Sequence, residues 1–271
     1  MIRILAAIFL VTQSAQALKL EFVAEHTLPD KLEFKKTKVG GLSALWFDKD
    51  SDSLFAVSDD RGVVNEPRFY KFHVEIKKND FKLLAEEVAF VHKKDDKAKV
   101  LLDMEGMAQL PWGNLLISAE GDNNKKPRIP PELIDVKKDG TWIRNYPIPD
   151  KFIPETSGEQ KKGIRNNAGF EGLTAWVDKN LFWAWTEAPL VQDSAGDFGP
   201  LRIVQYEMPE AWVIKPTKEF VYLTEDKLAT KDSVILVSRV AEALAISEKE
   251  FLVLERSVNL GVKNLGFSCR L

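Results

Sequence analysis

Apolar residues in this chain come in short runs broken by polar turns, not at the three-to-four spacing of an amphipathic helix. The runs come in pairs. LSALWF at 42–47 is followed by SLFAVS at 53–58, and MEGMAQL at 104–110 by LLISA at 115–119. FEGLTAW at 170–176 is followed by LFWAWT at 181–186, and AEALAI at 241–246 by FLVLE at 251–255. Turn formers separate the members of each pair, at Asp48–Ser53, Pro111–Asn114, Asp178–Asn180 and Ser247–Glu250. The pattern predicts four β-hairpins. Their strands are apolar nearly throughout, which suits strands covered on both faces.

The hairpins form a repeat. A Gly-Gly, Glu-Gly or Glu-Ala pair opens each one, and its second residue falls at positions 41, 106, 172 and 243. Third strands are expected at Arg68–Ile76, Arg128–Val136 and Leu201–Met208, and fourth strands at Phe81–Val91 and Phe220–Leu223. About four strands per unit of ~65–70 residues, with no long helix, predict an all-β, β-propeller-like domain with about four visible blades. A β-sandwich is the competing architecture, but it gives no reason for acids at matched positions.

Met1–Ala17 reads as a secretory signal: Arg3 is followed by the apolar Ile4–Val11 and by Ala15-Gln16-Ala17 as cleavage site. The expected domain is then 18–271, periplasmic or secreted, with no membrane span once the signal is removed. The 271 residues are 45% hydrophobic and 29% charged, enough for a core. A formal net charge of -3 offers no basic surface to a nucleic acid. A single Cys, Cys269, excludes an internal disulfide and a Cys-based zinc site. His26, His73 and His92 are scattered, and no Ser-His-Asp set, nucleophile elbow, Walker A run or dinucleotide fingerprint is evident.

The segments GGLSALWFDKDSDSLFAVSDDRG, DMEGMAQLPWGNLLISAEGD, NNAGFEGLTAWVDKNLFWAWTEAPL and ISEKEFLVLERS resemble the bacterial phytase-like family, described as having esterase-like activity of phytase. The resemblance runs from about Val39 to Ser257. It implies a secreted or periplasmic propeller with a phosphoester- or ester-hydrolase role. Family members usually continue beyond the Glu-Arg-Ser strand, so the resemblance implies one of three things: a C-terminally truncated chain, a ring that closes with fewer strands, or an open edge.

Equivalent blade positions converge on one end of a propeller channel. Two sets of acids recur: Glu105, Glu171 and Glu242 at the start of the first strands, and Asp59, Glu120, Glu187 and Glu255 at the end of the second. Seven carboxylates in one funnel would need cations or raised pKa values. Hard oxygen donors favour Ca²⁺, or another divalent ion such as Mg²⁺. The alternative is that these acids accept backbone N–H groups in turns or pair with Arg. Arg165, Asn167 and Arg256 are candidates to hold a small anionic or ester substrate, with Glu171 and Glu187 as candidate catalytic acids. Arg68, Arg128 and Arg202 are expected to lock blade ends. The alternatives to a phosphoester or ester hydrolase are a lactonase-type hydrolase, with Asn167 beside the cation, and a non-catalytic propeller binding a ligand or protein partner.

Overall fold

The computed structural model describes residues 19–78, 80–93, 101–194, 198–224, 233–261 and 265–271. The leader expected over 1–17 lies outside these residues. A small hairpin, β1 (Glu33–Phe34) and β2 (Thr37–Lys38), precedes four antiparallel sheets. The first holds β3 (Leu42–Asp48), β4 (Ser53–Ser58), β5 (Arg68–Lys77) and β6 (Asp80–Phe90) in sequential order. The short β7 (His92–Lys93) crosses to the outer edge of the second sheet. It pairs in parallel there with β11 (Thr141–Tyr146), beyond β8 (Met104–Gln109), β9 (Leu115–Ala119) and β10 (Glu132–Val136). The third sheet is β12 (Phe170–Trp176), β13 (Leu181–Thr186), β14 (Leu201–Glu210) and β15 (Val213–Tyr222). The fourth has three strands, β16 (Ser233–Ala245), β17 (Phe251–Gly261) and β18 (Leu265–Arg270). This is a four-blade propeller arrangement. Helix is limited among the described residues to short 3₁₀ turns, and no helix there is long and apolar enough to cross a membrane.

Three of the four hydrophobic clusters are interfaces between blades. Phe55, Val57 and Phe69 of the first blade meet Met104, Ile117 and Trp142 of the second. Leu116 and Leu133 meet Phe170 and Phe182 of the third, and Trp183 and Trp185 meet Ala243 and Phe251 of the fourth. Strand β13 shows why the sequence does not alternate. Phe182 and Ala184 face the second blade while Trp183 and Trp185 face the fourth, so both faces are core. Leu28, Leu32 and Phe34 cover part of the first blade's outer face. Leu45 and Phe47 on β3 and Leu244 on β16 stay exposed. Among the described residues β16 packs on β12, and it makes no comparable contact with β3.

Side-chain bonds tie the inner strands together. The Gly106 N–H donates to Ser118 Oγ at 2.8 Å, and the Ser118 hydroxyl donates to the Phe170 carbonyl at 2.8 Å, which links β8 and β9 to β12. The Ala245 N–H donates to Thr174 Oγ1 at 2.9 Å, which links β16 to β12. The backbones here approach closely. A Cβ on Gly106 would lie 2.6 Å from the Glu171 carbonyl oxygen and 2.7 Å from Leu173 Cβ.

Gly106→Ala is therefore expected to destabilise the chain by about 1–3 kcal/mol, read as a lower urea midpoint. Gly40→Ala, whose Cβ meets nothing within 4 Å, is the control and should stay within about 0.5 kcal/mol of wild type. Equal midpoints would contradict the close blade-to-blade contact.

Candidate metal centre

Each inner strand carries one extra residue at the same height. The register slips between Leu42 and Ala44, Met104 and Gly106, Phe170 and Gly172, and Val240 and Glu242. The bulged residues are therefore Ser43, Glu105, Glu171 and Ala241. A bulge turns its extra side chain out of the normal alternation, and all four line one funnel of about 440 Å³. The same registers place Ser58, Ala119, Thr186 and Glu255 opposite one another's equivalents, so the next residues form a second ring: Asp59, Glu120, Glu187 and Arg256.

This corrects the spacing argument in the fourth blade. Sequence spacing aligns Glu242 with Glu105 and Glu171, and Glu255 with Glu120 and Glu187. The register moves both by one residue. Ala241 takes the bulge, and Glu242 accepts the backbone N–H groups of Ala243 at 2.8 Å and Leu173 at 3.2 Å. Glu255 accepts the Tyr222 hydroxyl at 2.5 Å and faces Arg270 at 3.4 Å. For these two acids the backbone-and-Arg alternative describes what is observed. Arg256 stands where the other blades carry an acid, and its guanidinium reaches Glu171 at 3.2 Å and also binds Glu187.

Glu105, Glu120, Glu171 and Glu187 are brought together and buried. Asp103, Glu105 and Glu120 each offer a carboxylate oxygen within 4.8 Å of the others, and so do Glu120, Glu171 and Glu187. Glu120 is the shared corner. One of its oxygens accepts the Gly169 N–H, while the other is buried without a hydrogen-bond partner. That orphaned oxygen and an all-carboxylate donor set fit a hard divalent cation. Asp59 lines the funnel but stands outside both groups. Its carboxylate lies over Gly41, where a Cβ would come within 1.8 Å of Oδ1, and Gly41 has φ +57.

Burial, reinforced by the charge of Glu120, pushes Glu105 up to about 8, against a hydrogen bond from Ser43. Burial and the neighbouring Glu187 push Glu171 up to about 10. For Glu120 burial outweighs the Gly169 N–H and raises the group to about 7. Asp103 is raised as well, chiefly by burial, against the Arg61 guanidinium.

Three further residues take part: Asp103, which spacing does not single out, and Arg61 and Arg239, which lie next to the motif strands. Asp103 enters because β8 continues the first-strand line one step back from Met104. Arg239 binds Glu187 at 2.8 Å. Arg61 binds Asp103 and the Asn167 side-chain carbonyl. Arg61 and Asn167 both have φ +55, a left-handed backbone costing about 1–3 kcal/mol in non-glycine residues. The one available signal was position: Arg61 follows the Asp59-Asp60 pair at the end of a motif strand. Asn167 lines the funnel, as the candidate-site reading expects. Arg165 does not line it and instead donates to Ser194. Arg68 pairs with Asp60 at 2.6 Å, and Arg202 with Asp193 at 2.8 Å and Glu219 at 2.9 Å. Arg128 donates to the Glu155 and Gly158 carbonyls. These three lock blade ends.

The raised carboxyls fix the sign of a pH dependence. Unfolded, these Glu residues ionise near 4.5; folded, they hold protons to about 7, 8 and 10. The folded state therefore binds more protons above the unfolded pKa, and stability falls as pH rises from about 4.5 through that range. In chelator-treated protein, Tm is expected to drop by more than about 4 °C between pH 5 and pH 9. Glu171→Gln should flatten the slope, and an equal slope in the variant would remove Glu171 from the cause.

No curated protein matches the chain. Solved structures that resemble it at low identity include two lactonases. The periplasmic gluconolactonase of Pseudomonas aeruginosa is 12% identical, with 86% of this chain and 73% of that one covered and a TM-score of 0.39. A putative 6-phosphogluconolactonase of Bacteroides uniformis is 13% identical, with 86% and 71% covered and a TM-score of 0.30. Residues 37–271 match the phytase-like family described as esterase-like activity of phytase, and the chain belongs to that family.

Proposed function

We propose that the funnel is a divalent-cation-dependent hydrolase site for the ester or phosphoester bond of a small anionic ligand. The observation that carries this reading is Glu120. It is the common corner of two three-carboxylate groups, and one of its oxygens is buried without a partner. A cation beside Glu120 draws on Glu171 and Glu187 on one side and on Asp103 and Glu105 on the other. Ca²⁺ or Mg²⁺ suits these donors. When bound, such an ion neutralises an anionic group and polarises the bond to be cleaved.

The chain's own residues supply the rest. Six carboxylates face three guanidiniums, those of Arg61, Arg239 and Arg256, so the site carries an excess of negative charge when fully ionised. Arg256 is half exposed at the funnel wall and presents a fork suited to phosphate or carboxylate oxygens. Glu105, hydrogen-bonded to Ser43, lines the same wall. A periplasmic or secreted location belongs to this proposal and rests on the leader pattern of Met1–Ala17.

Calorimetry with Ca²⁺ and with Mg²⁺ tests the site directly. Binding by the wild-type chain is expected, with Glu120→Gln and Glu171→Gln each weakening it at least about tenfold. Chelator-sensitive turnover of p-nitrophenyl phosphate, phenyl acetate or a δ-lactone then separates phosphoester, ester and lactone chemistry. A folded protein that binds neither ion would overturn the cation reading and leave the acids as partners of Arg and backbone. Ion binding without turnover of any of these compounds would favour a ligand-binding propeller.

A further inference from the structure

Beside the funnel lies a second cavity of about 130 Å³. Arg61 and Asp103, which pair with each other, line both, so the two spaces meet at this ion pair. On the annex side the chemistry changes. The funnel presents carboxylates, guanidiniums and an amide, whereas the annex is lined by Val63, Leu101, Leu102, Ala119 and Ile129. Asp122, Lys125 and Glu132 also border this apolar patch, on the same cavity as Arg61 and Asp103.

Val63 is 78% exposed and Leu101 47%. Val63 is nevertheless firmly held. The Asp60 carboxylate accepts the N–H groups of Val63 at 3.1 Å, Val64 at 2.8 Å and Asn65 at 2.8 Å, and it pairs with buried Arg68 at 2.6 Å. Within the same loop the left-handed backbone of Arg61 aims its guanidinium at Asp103. One braced loop thus sets a charged group against the funnel and an apolar group against the annex. A rigid apolar side chain kept in water beside a charged site is the signature of a ligand surface.

We propose that the annex is the subsite for one apolar group of the funnel's ligand, an aromatic ring or a branched alkyl chain. The substrate class becomes an aryl or branched-alkyl ester, carboxylic or phosphoric, with its polar part in the funnel. Hydrolysis adds water across that bond and leaves a phenol or an alcohol in the annex and an acid in the funnel. Size supports this: an apolar cavity of about 150 Å³ holds one benzene molecule. A hydroxyl set directly against Leu102 and Ile129 would go unpaired. The substrate half of the inference rests on the hydrolase reading above; the binding half does not.

The test separates the two. Saturation-transfer NMR with benzyl alcohol on the cation-free full chain reads the annex without turnover. Binding is expected in the wild type, weakened at least about fivefold in Val63→Asp and Leu101→Asp. Val64→Asp, on the same loop but outside the annex, should bind as wild type. With cation present, phenyl acetate should exceed methyl acetate in kcat/KM by about tenfold, and Val63→Asp should erase that preference. Absence of benzyl alcohol binding, or equal weakening by Val64→Asp, overturns the annex even if esters are cleaved. Binding with the expected variant pattern but no turnover of phenyl acetate, p-nitrophenyl phosphate or a δ-lactone keeps the annex and overturns the hydrolase reading.

Discussion

The site depends on a single backbone device, the one-residue bulge repeated in β3, β8, β12 and β16. Without it Glu105 and Glu171 would fall on the faces between blades, where Met107 and Leu173 already pack. The extra residue turns them inward and leaves the rest of each strand in phase with its neighbours. The cost is electrostatic. Carboxylates brought this close and buried cannot all stay ionised, and the raised pKa values of Glu105, Glu120 and Glu171 express that constraint.

The fourth blade relieves part of that load. It carries Ala241 at the bulge and Arg256 in the second ring, so it adds a cation where the second and third blades add two acids each. Arg239 joins from the same strand pair, since it sits opposite Arg256 in the ladder. Both guanidiniums converge on Glu187, which is fully buried. Four similar units thereby make an asymmetric site. It is acidic around Glu120, basic towards the fourth blade and polar at Ser43. A strictly repeated acid would have produced a ring of like charge with nothing to hold it together.

Much of the architecture was legible in the sequence, because strands covered on both faces must be apolar at consecutive positions. LFWAWT at 181–186 states this directly, with one aromatic set for each neighbouring blade. The repeat length and the acids of the second and third blades followed from the same reading. The phase of the fourth blade did not. A bulge leaves no mark in composition, so Ala241-Glu242 could be aligned with Glu105-Gly106 as easily as one step out of phase. The role of Asp103 was hidden for a related reason: its neighbour in space, Arg61, sits on a loop of another blade. Arg165 failed in the opposite sense. It lies two residues before Asn167, yet the turn between them sends its side chain to Ser194 instead of the funnel.

The contacts that shape the site are also those that hold the blades together. Arg61 ties the first blade to Asp103 of the second and to Asn167 at the threshold of the third. Arg239 and Arg256 tie the fourth blade to Glu187 of the third. Removing Asp103 or Glu187 therefore leaves a partly exposed guanidinium without its carboxylate as well as taking away a donor. Neutral isosteres such as Gln keep the hydrogen bond while removing the charge. A cation entering beside Glu120 would act in the opposite direction, replacing protons on the raised carboxyls. Binding there and cohesion of the third and fourth blades would then be coupled through Glu187, which shares a carboxylate group with Glu120 and anchors both arginines.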